Sequence, residues 1–252
     1  MGLLTAELRK LTTVRTTWVI TLLGVAFAAV GAGFFLFETE FTGPFTGTDA
    51  QIAAAVDNVG AMSPVVVVVG LLAMTTEFRH GTAGRTFQLT PSRTRVMLAK
   101  LTVGAVYGVV FAAVGLAAVA AVVAVASIGL DNGLEPGADT FAAVWRTPVG
   151  LALATVLGVA IGALLRNQVV AITATLVYLF LGEQLFNQFF PEVARWLPFQ
   201  ALQALYASEE TMAAVPEGML QPLDAPVALV VFLAYVAVAA VAATALLRYR
   251  DV

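Results

Sequence analysis

The chain has no cysteine and a single histidine, His80, and only 12% of its 252 residues are charged. Without cysteine there can be no disulfide, no thiolate-bound metal and no cysteine nucleophile. One imidazole leaves no His-based zinc site and no Ser–His pair with a ligand to spare. Three motifs are also missing: H-E-x-x-H, G-x-S-x-G and G-x-x-x-x-G-K-[ST]. Their absence removes the zinc-protease helix, the serine-hydrolase elbow and the P-loop cradle for ATP phosphates. Charge is scarce as well. A soluble domain carries about 25% charged residues, so this chain cannot present water-facing surface on all sides.

What it has in quantity is apolar length: 60% of its residues are hydrophobic and the mean hydropathy is +0.91. A hydrocarbon core about 30 Å thick takes roughly 20 apolar residues per helical crossing. Suitable runs lie at about 17–37, 59–76, 96–128, 141–165, 169–190 and 225–247. The expected fold is therefore an all-α integral membrane protein of six transmembrane helices in one domain, residues 1–252. Before the first run, Leu4, Leu8, Leu11, Val14 and Trp18 recur at helical spacing, with Glu7, Arg9, Lys10 and Arg15 around the other faces. That pattern predicts a helix over about 1–16 lying in the membrane interface. A cleaved signal peptide fits poorly, because the apolar run is too long and no convincing small-residue cleavage site follows.

Thr90-Pro91 supplies a helix start, and no further breaker appears before Gly129. A helix over 91–128 would be about 57 Å long, which would leave Arg93, Arg95 and Lys100 at or below the cytoplasmic surface. Gly104-x-x-x-Gly108 and Gly158-x-x-x-Gly162 permit close helix approach, expected within one subunit more than as a dimer motif. From 183 to 224, polar residues and prolines interrupt Phe189, Phe190, Trp196 and Phe199. One or two short helices that dip into the outer leaflet and return are expected there.

Orientation follows from basic residues in short loops. With cytoplasmic termini, the inner side holds eleven of the thirteen basic residues, Arg9 and Lys10 through Arg248 and Arg250, against three acids, Glu7, Glu77 and Asp251. The outer side holds Arg146 and Arg195 against the other thirteen acids, in loops at about 38–58, 129–140 and 191–224.

Ionisable residues are costly at span centres and are kept there for function, as in ion-coupled carriers. The span centres here hold almost none. Glu183 comes nearest, and a carboxylate at the interfacial end of a helix is the plainer reading of it. Tyr178, Glu183, Gln184 and Asn187 are candidates for lining a pathway that 183–206 helps to close on the outside, with interfacial anchoring as the alternative. Energy for transport would then come from a partner, which could grip the loop between the second and third spans. That loop, from Glu77 to Arg95, carries both charges, aromatics and glycine, more than positive-inside placement needs.

The run Thr76-Glu77-Phe78-Arg79-His80-Gly81-Thr82, then Thr90-Pro91-Ser92-Arg93 and Ala99-Lys100-Leu101, resembles the ABC type-2 permease family, the six-helix (type V-like) membrane subunits of ATP-binding-cassette exporters. Glu7-Leu8-x-Lys10-Leu11 with Arg15 and Trp18 is similar to that family's interfacial helix, and Leu197-Pro198 to its outer re-entrant segment. The resemblance implies a cytoplasmic coupling helix between spans 2 and 3, seated in a cleft of a separate ATPase subunit. It also implies two permease subunits, identical or related, with two ATPases below them in the plasma membrane. ATP and Mg would sit on the ATPase; no cofactor is expected in this chain, which would be non-catalytic, and no nucleic-acid partner. Glu77, Phe78, Arg79, His80, Gly81, Thr82 and Arg85 become the candidate coupling residues. Glu77 and Arg79 would form charge-assisted hydrogen bonds to the partner or back to nearby helices, Phe78 would fill an apolar hole, and Gly81 would allow a tight turn. The plainer alternative is that they cap span two and anchor the topology. A self-sufficient carrier or channel, or a non-transporting scaffold, are the rival functional classes. The cargo is not encoded, although a path with few charges suits a hydrophobic or amphipathic molecule.

Overall fold

The computed structural model describes residues 2–37, 44–82, 84, 88, 92–128, 130, 133–208 and 222–249. Among these residues every regular element is helical, and six helices are long and apolar enough to cross a membrane. The chain opens with α1 (Leu3–Thr13), turns at Val14 in extended conformation, and enters α2 (Arg15–Phe37). Trp18 Nε1 donates to the Thr12 carbonyl at 2.7 Å and fastens that elbow. The next helix, α3 (Asp49–Gly60), is joined through Ala61-Met62 to α4 (Ser63–Arg79). Together they make the second candidate span. Then come α5 (Arg93–Ala126) and α6 (Ala138–Leu165). α7 (Gln168–Val177) passes through one π-helical stretch, Tyr178–Gly182, into α8 (Glu183–Phe189). Two short helices, α9 (Pro191–Ala194) and α10 (Pro198–Tyr206), precede the last span, α11 (Ala225–Tyr249).

Two features differ from the sequence expectation. Residues 38–58 read as an outer loop, yet 49–60 is helix. Asp49, Gln51, Asp57 and Asn58 mask its pattern, while Ile52, Ala53, Ala55, Val56 and Val59 form a buried stripe. Helix α5 starts at Arg93, not 91; Pro91 itself lies outside the described residues.

Helix α6 is the centre of the bundle, packing on α3, α4, α5, α7, α10 and α11. It and the α3–α4 span are 56% buried over their most apolar stretch, against 22% for α2, for α7–α8 and for α11, whose remaining apolar faces point outward. Close approach at the centre is made by glycine. A methyl group on Gly70 of α4 would meet the Thr155 carbonyl of α6, one on Gly158 the Val67 carbonyl, and one on Gly108 of α5 the Leu151 carbonyl. Both glycine pairs seen in the sequence thus pack helices of the same chain. Without a hydrophobic drive between helices in lipid, this backbone contact is what dispersion needs. Tyr107 and Thr21 add an inter-span hydrogen bond at 2.6 Å between α5 and α2.

The bundle has two distinct ends. At the base lie α1, the end of α4, the starts of α5 and α7, and the ends of α6 and α11. At the far end, Asp49 of α3 accepts backbone N–H bonds from Gly137, Asp139 and Thr140 at 2.7, 3.0 and 2.9 Å, and so caps the first turn of α6.

Candidate functional site

At the base, four charges from three elements meet. Lys100 of α5 donates to Glu7 Oε2 of α1 at 2.8 Å, to Glu77 Oε1 of α4 at 2.8 Å and to the Ala73 carbonyl at 3.1 Å. An ammonium has three N–H donors, so all are used. Lys10 of α1 donates to Glu7 Oε1 at 2.6 Å and Glu77 Oε1 at 2.7 Å. Glu7, Glu77 and Lys100 are buried, at 4%, 8% and 3% exposure. Each such charge costs several kcal/mol to desolvate, and a neutral set in which the buried Lys100 has all its donors satisfied is the form in which they can be kept. For Lys10, which is half-exposed, burial pulls the pKa down. The hydrogen bonds and charges of Glu7 and Glu77 outweigh that and hold it above its ordinary 10.5. The set borders a cavity of about 620 Å³ under α1, also lined by Thr13, Thr17, Arg79 and Gln168.

Directly beyond Glu77, α4 ends in a tightly bonded turn. The Gly81 N–H bonds the Phe78 carbonyl at 3.3 Å and the Thr82 N–H bonds the Glu77 carbonyl at 3.0 Å, with Gly81 at φ +66°. This is the Schellman pattern, with the left-handed residue just past the helix. Among the described residues, no atom lies within 4 Å of where a Gly81 side chain would start. Glycine is favoured here by the left-handed backbone conformation of the turn. Phe78 turns inward onto the lower core under the Arg166 guanidinium, which sits 5.4 Å from the ring centroid. Arg79 and His80 face outward, Arg79 reaching Gln168 Oε1 at 3.4 Å. Arg85 lies outside the described residues, as does most of 83–91.

The sequence reading missed Glu7, Lys10 and Lys100 as one group with Glu77. It placed Glu7 on the polar face of an interfacial helix and Lys100 near the surface. The available signal was Lys100 itself, a lysine inside an apolar run that needs an acid partner. Two arginines that the sequence placed on the inner side also have structural partners. Arg93 donates to the Leu247 carbonyl at 2.6 Å and Arg166 to the Leu246 carbonyl at 3.5 Å, which engages two of the open carbonyls in the last turn of α11.

At the far end, Glu183 is buried at 1% exposure and is no free interfacial carboxylate. It accepts from the Phe199 and Gln200 N–H groups at 3.0 and 2.9 Å, capping α10 from another helix. Tyr178 is half-buried, its ring tilted against Phe199 with centroids 6.3 Å apart. Gln184 and Asn187 are exposed.

No group of His, Asp and Glu among the described residues could hold a metal ion. A family model described as ABC-2 family transporter protein matches residues 3–182, which includes the charge cluster, the α4 turn, the first four spans and most of the fifth. No curated protein matches the chain.

Proposed function

Because the chain belongs to the ABC-2 transporter family, we propose that it is the permease subunit of an ATP-driven exporter, paired with a second permease and driven by a separate ATPase. The cytoplasmic side would be the base, where the basic residues gather, and the membrane would be the plasma membrane. The observation that carries the reading is the four-charge cluster. It joins the interfacial helix α1 and the feet of α4 and α5 into one body immediately above the exposed Arg79 and His80. A push delivered to that turn from below would reach two spans together, since the buried Lys100 pairs at 2.8 Å tie α4 and α1 to α5.

Within this reading the loop residues divide. Glu77 and Phe78 face the chain and hold the root of the loop. Arg79, His80 and Thr82 are the surface offered to the ATPase. A carrier that works alone is disfavoured for the same reason. Its buried ionisable residues would have to exchange ions, yet Glu7, Glu77, Lys100 and Glu183 are all engaged by partners within the chain.

Affinity purification from the native membrane tests the proposal. The intact chain should bring down an ATP-hydrolysing polypeptide, and Arg79→Glu/His80→Glu should lose it while retaining the same thermal unfolding midpoint. A chain that purifies without any ATPase yet transports in vesicles would overturn it.

A further inference from the structure

The cavity under α1 has a polar opening and an apolar interior. Its exposed lining residues include Lys10, Thr13, Val14 and Thr16 at the α1–α2 elbow and Arg79 and His80 at the turn after α4, so it opens between those two features. Leu11, Leu72 and Val103 supply apolar wall. The order follows from chain direction. Helix α4 runs toward the base, so Leu72 stands about 10 Å inward of Arg79. Helix α5 runs away from the base, so Val103 stands nearly one turn inward of Lys100. Leu4, Leu8, Val14 and Trp18 keep 40–54% of their surface exposed, the apolar stripe of a helix lying at headgroup level. The cavity beneath that helix is thus polar where lipid headgroups lie and apolar toward the bundle centre.

Charge narrows the ligand further. Lys10, Arg79 and Lys100 line the cavity against Glu7 and Glu77, which leaves one positive charge in excess among the described residues. The two carboxylates are buried and already held by Lys10 and Lys100. Arg79 is exposed, and its hydrogen bond goes to a neutral amide, Gln168 Oε1 at 3.4 Å, on the same cavity. Its guanidinium has five N–H donors in a fork that fits two oxygens of a phosphate. Lys10 spends two of its three donors on the cluster and has one left. What the opening presents is therefore positive. An ammonium compound would be repelled there. A soluble anion would gain the charge but nothing from Leu11, Leu72 and Val103. A molecule with one anionic phosphate and apolar tails matches both ends.

We propose that this cavity binds the headgroup of an anionic phospholipid, with the phosphate at Arg79 and Lys10 and the first tail carbons against Leu11, Leu72 and Val103. Its volume, about 620 Å³, falls within the roughly 300–1,000 Å³ of small-ligand sites. A bound lipid would bridge the α1–α2 elbow and the foot of α4 beside the buried cluster. The site lies within one chain and its occupancy needs no ATPase, so it does not rest on the permease reading.

Native mass spectrometry of the full chain in a neutral detergent tests it, with dioleoyl phosphatidylglycerol and dioleoyl phosphatidylcholine titrated separately. The tails are identical, and the choline group would place a cation beside Arg79. Phosphatidylglycerol should fill one saturable site per chain, at least about tenfold more tightly than phosphatidylcholine, as expected where a charge-assisted pair decides. Excess inorganic phosphate should not displace it. Arg79→Gln should weaken phosphatidylglycerol about tenfold by loss of that pair, and Lys10→Met severalfold. Arg15→Gln is the control. Arg15 is exposed at the same elbow but does not line the cavity, so its loss should leave the affinity unchanged. Since Lys10 also belongs to the buried cluster, Arg79→Gln provides the variant outside it. Equal binding of the two lipids, no saturable binding, displacement by inorganic phosphate, full affinity in folded Arg79→Gln, or an equal loss in Arg15→Gln would each overturn the assignment. ATPase co-purification by the parent chain would be unaffected by any of these outcomes.

Discussion

Lys100 gives its three N–H donors to acceptors on two other helices, Glu7 of α1 and Ala73 and Glu77 of α4, which makes it the residue on which the base of the bundle most depends. Replacing it with Met removes the charge but keeps the volume, and leaves Glu7 and Glu77 buried with only Lys10 between them. Breaking a buried pair on one side costs about 3–5 kcal/mol. Lys10 is different: its side chain is 45% exposed, and water screens what it contributes. Lys10→Met should cost no more than about 1 kcal/mol. Thermal unfolding in detergent should rank Lys100→Met far below Lys10→Met and the parent. Because the Lys10 pKa is raised above 10.5 in the folded chain, its contribution is complete below that pH and fades only as pH rises through the folded value. The Lys10→Met difference should therefore stay constant from about pH 6 to 9. At this scale the sequence made residue types legible but not their partners. Glu77 and Lys100 could be picked out as charges bordering apolar runs. Glu7 could not, because a helical wheel shows which side is polar and not which polar side is buried.

At the scale of the element, helix length and apolarity were plain, since a crossing helix announces itself over some 20 residues. Short or irregular pieces were not. Helix α3 hides an apolar stripe among four polar residues, and Asp49, read only as an outer acid, caps α6. The π-helical stretch has no sequence period to betray it. The glycine pairs were legible as packing motifs, and contact with neighbouring backbone explains why they are needed. Gly158→Val would drive side-chain carbons into the Val67 carbonyl and force α4 and α6 apart, beyond the roughly 1–3 kcal/mol usual for overpacking. Gly33→Ala is the matched control. A methyl there meets only Val122 at 3.7 Å, an ordinary contact. Thermal unfolding should find Gly158→Val strongly destabilised and Gly33→Ala within about 0.5 kcal/mol of the parent.

For the whole molecule, the six-helix plan followed from composition, and the family match over residues 3–182 makes the chain a member of the ABC-2 transporters. The sequence directed attention to the foot of the second span, and the most concentrated buried charge lies there. What it could not convey is that α1, α4 and α5 share that charge, because the three partners are separated by 70 and 23 residues and only packing brings them together. The mechanical consequence is that an ATPase gripping the α4 turn would move the interfacial helix with it.

The central claim, that the turn after α4 faces the cytoplasm and docks an ATPase, can be tested with one thiol. The cysteine-free chain allows His80→Cys to be the sole reactive site. Its labelling by a membrane-impermeant maleimide is measured in right-side-out vesicles and in inside-out vesicles, the latter stripped of peripheral proteins or carrying the ATPase. The account predicts no labelling in right-side-out vesicles, rapid labelling in stripped inside-out vesicles, and protection when the ATPase is present. Labelling in right-side-out vesicles, or rapid labelling undiminished by the ATPase, would contradict it.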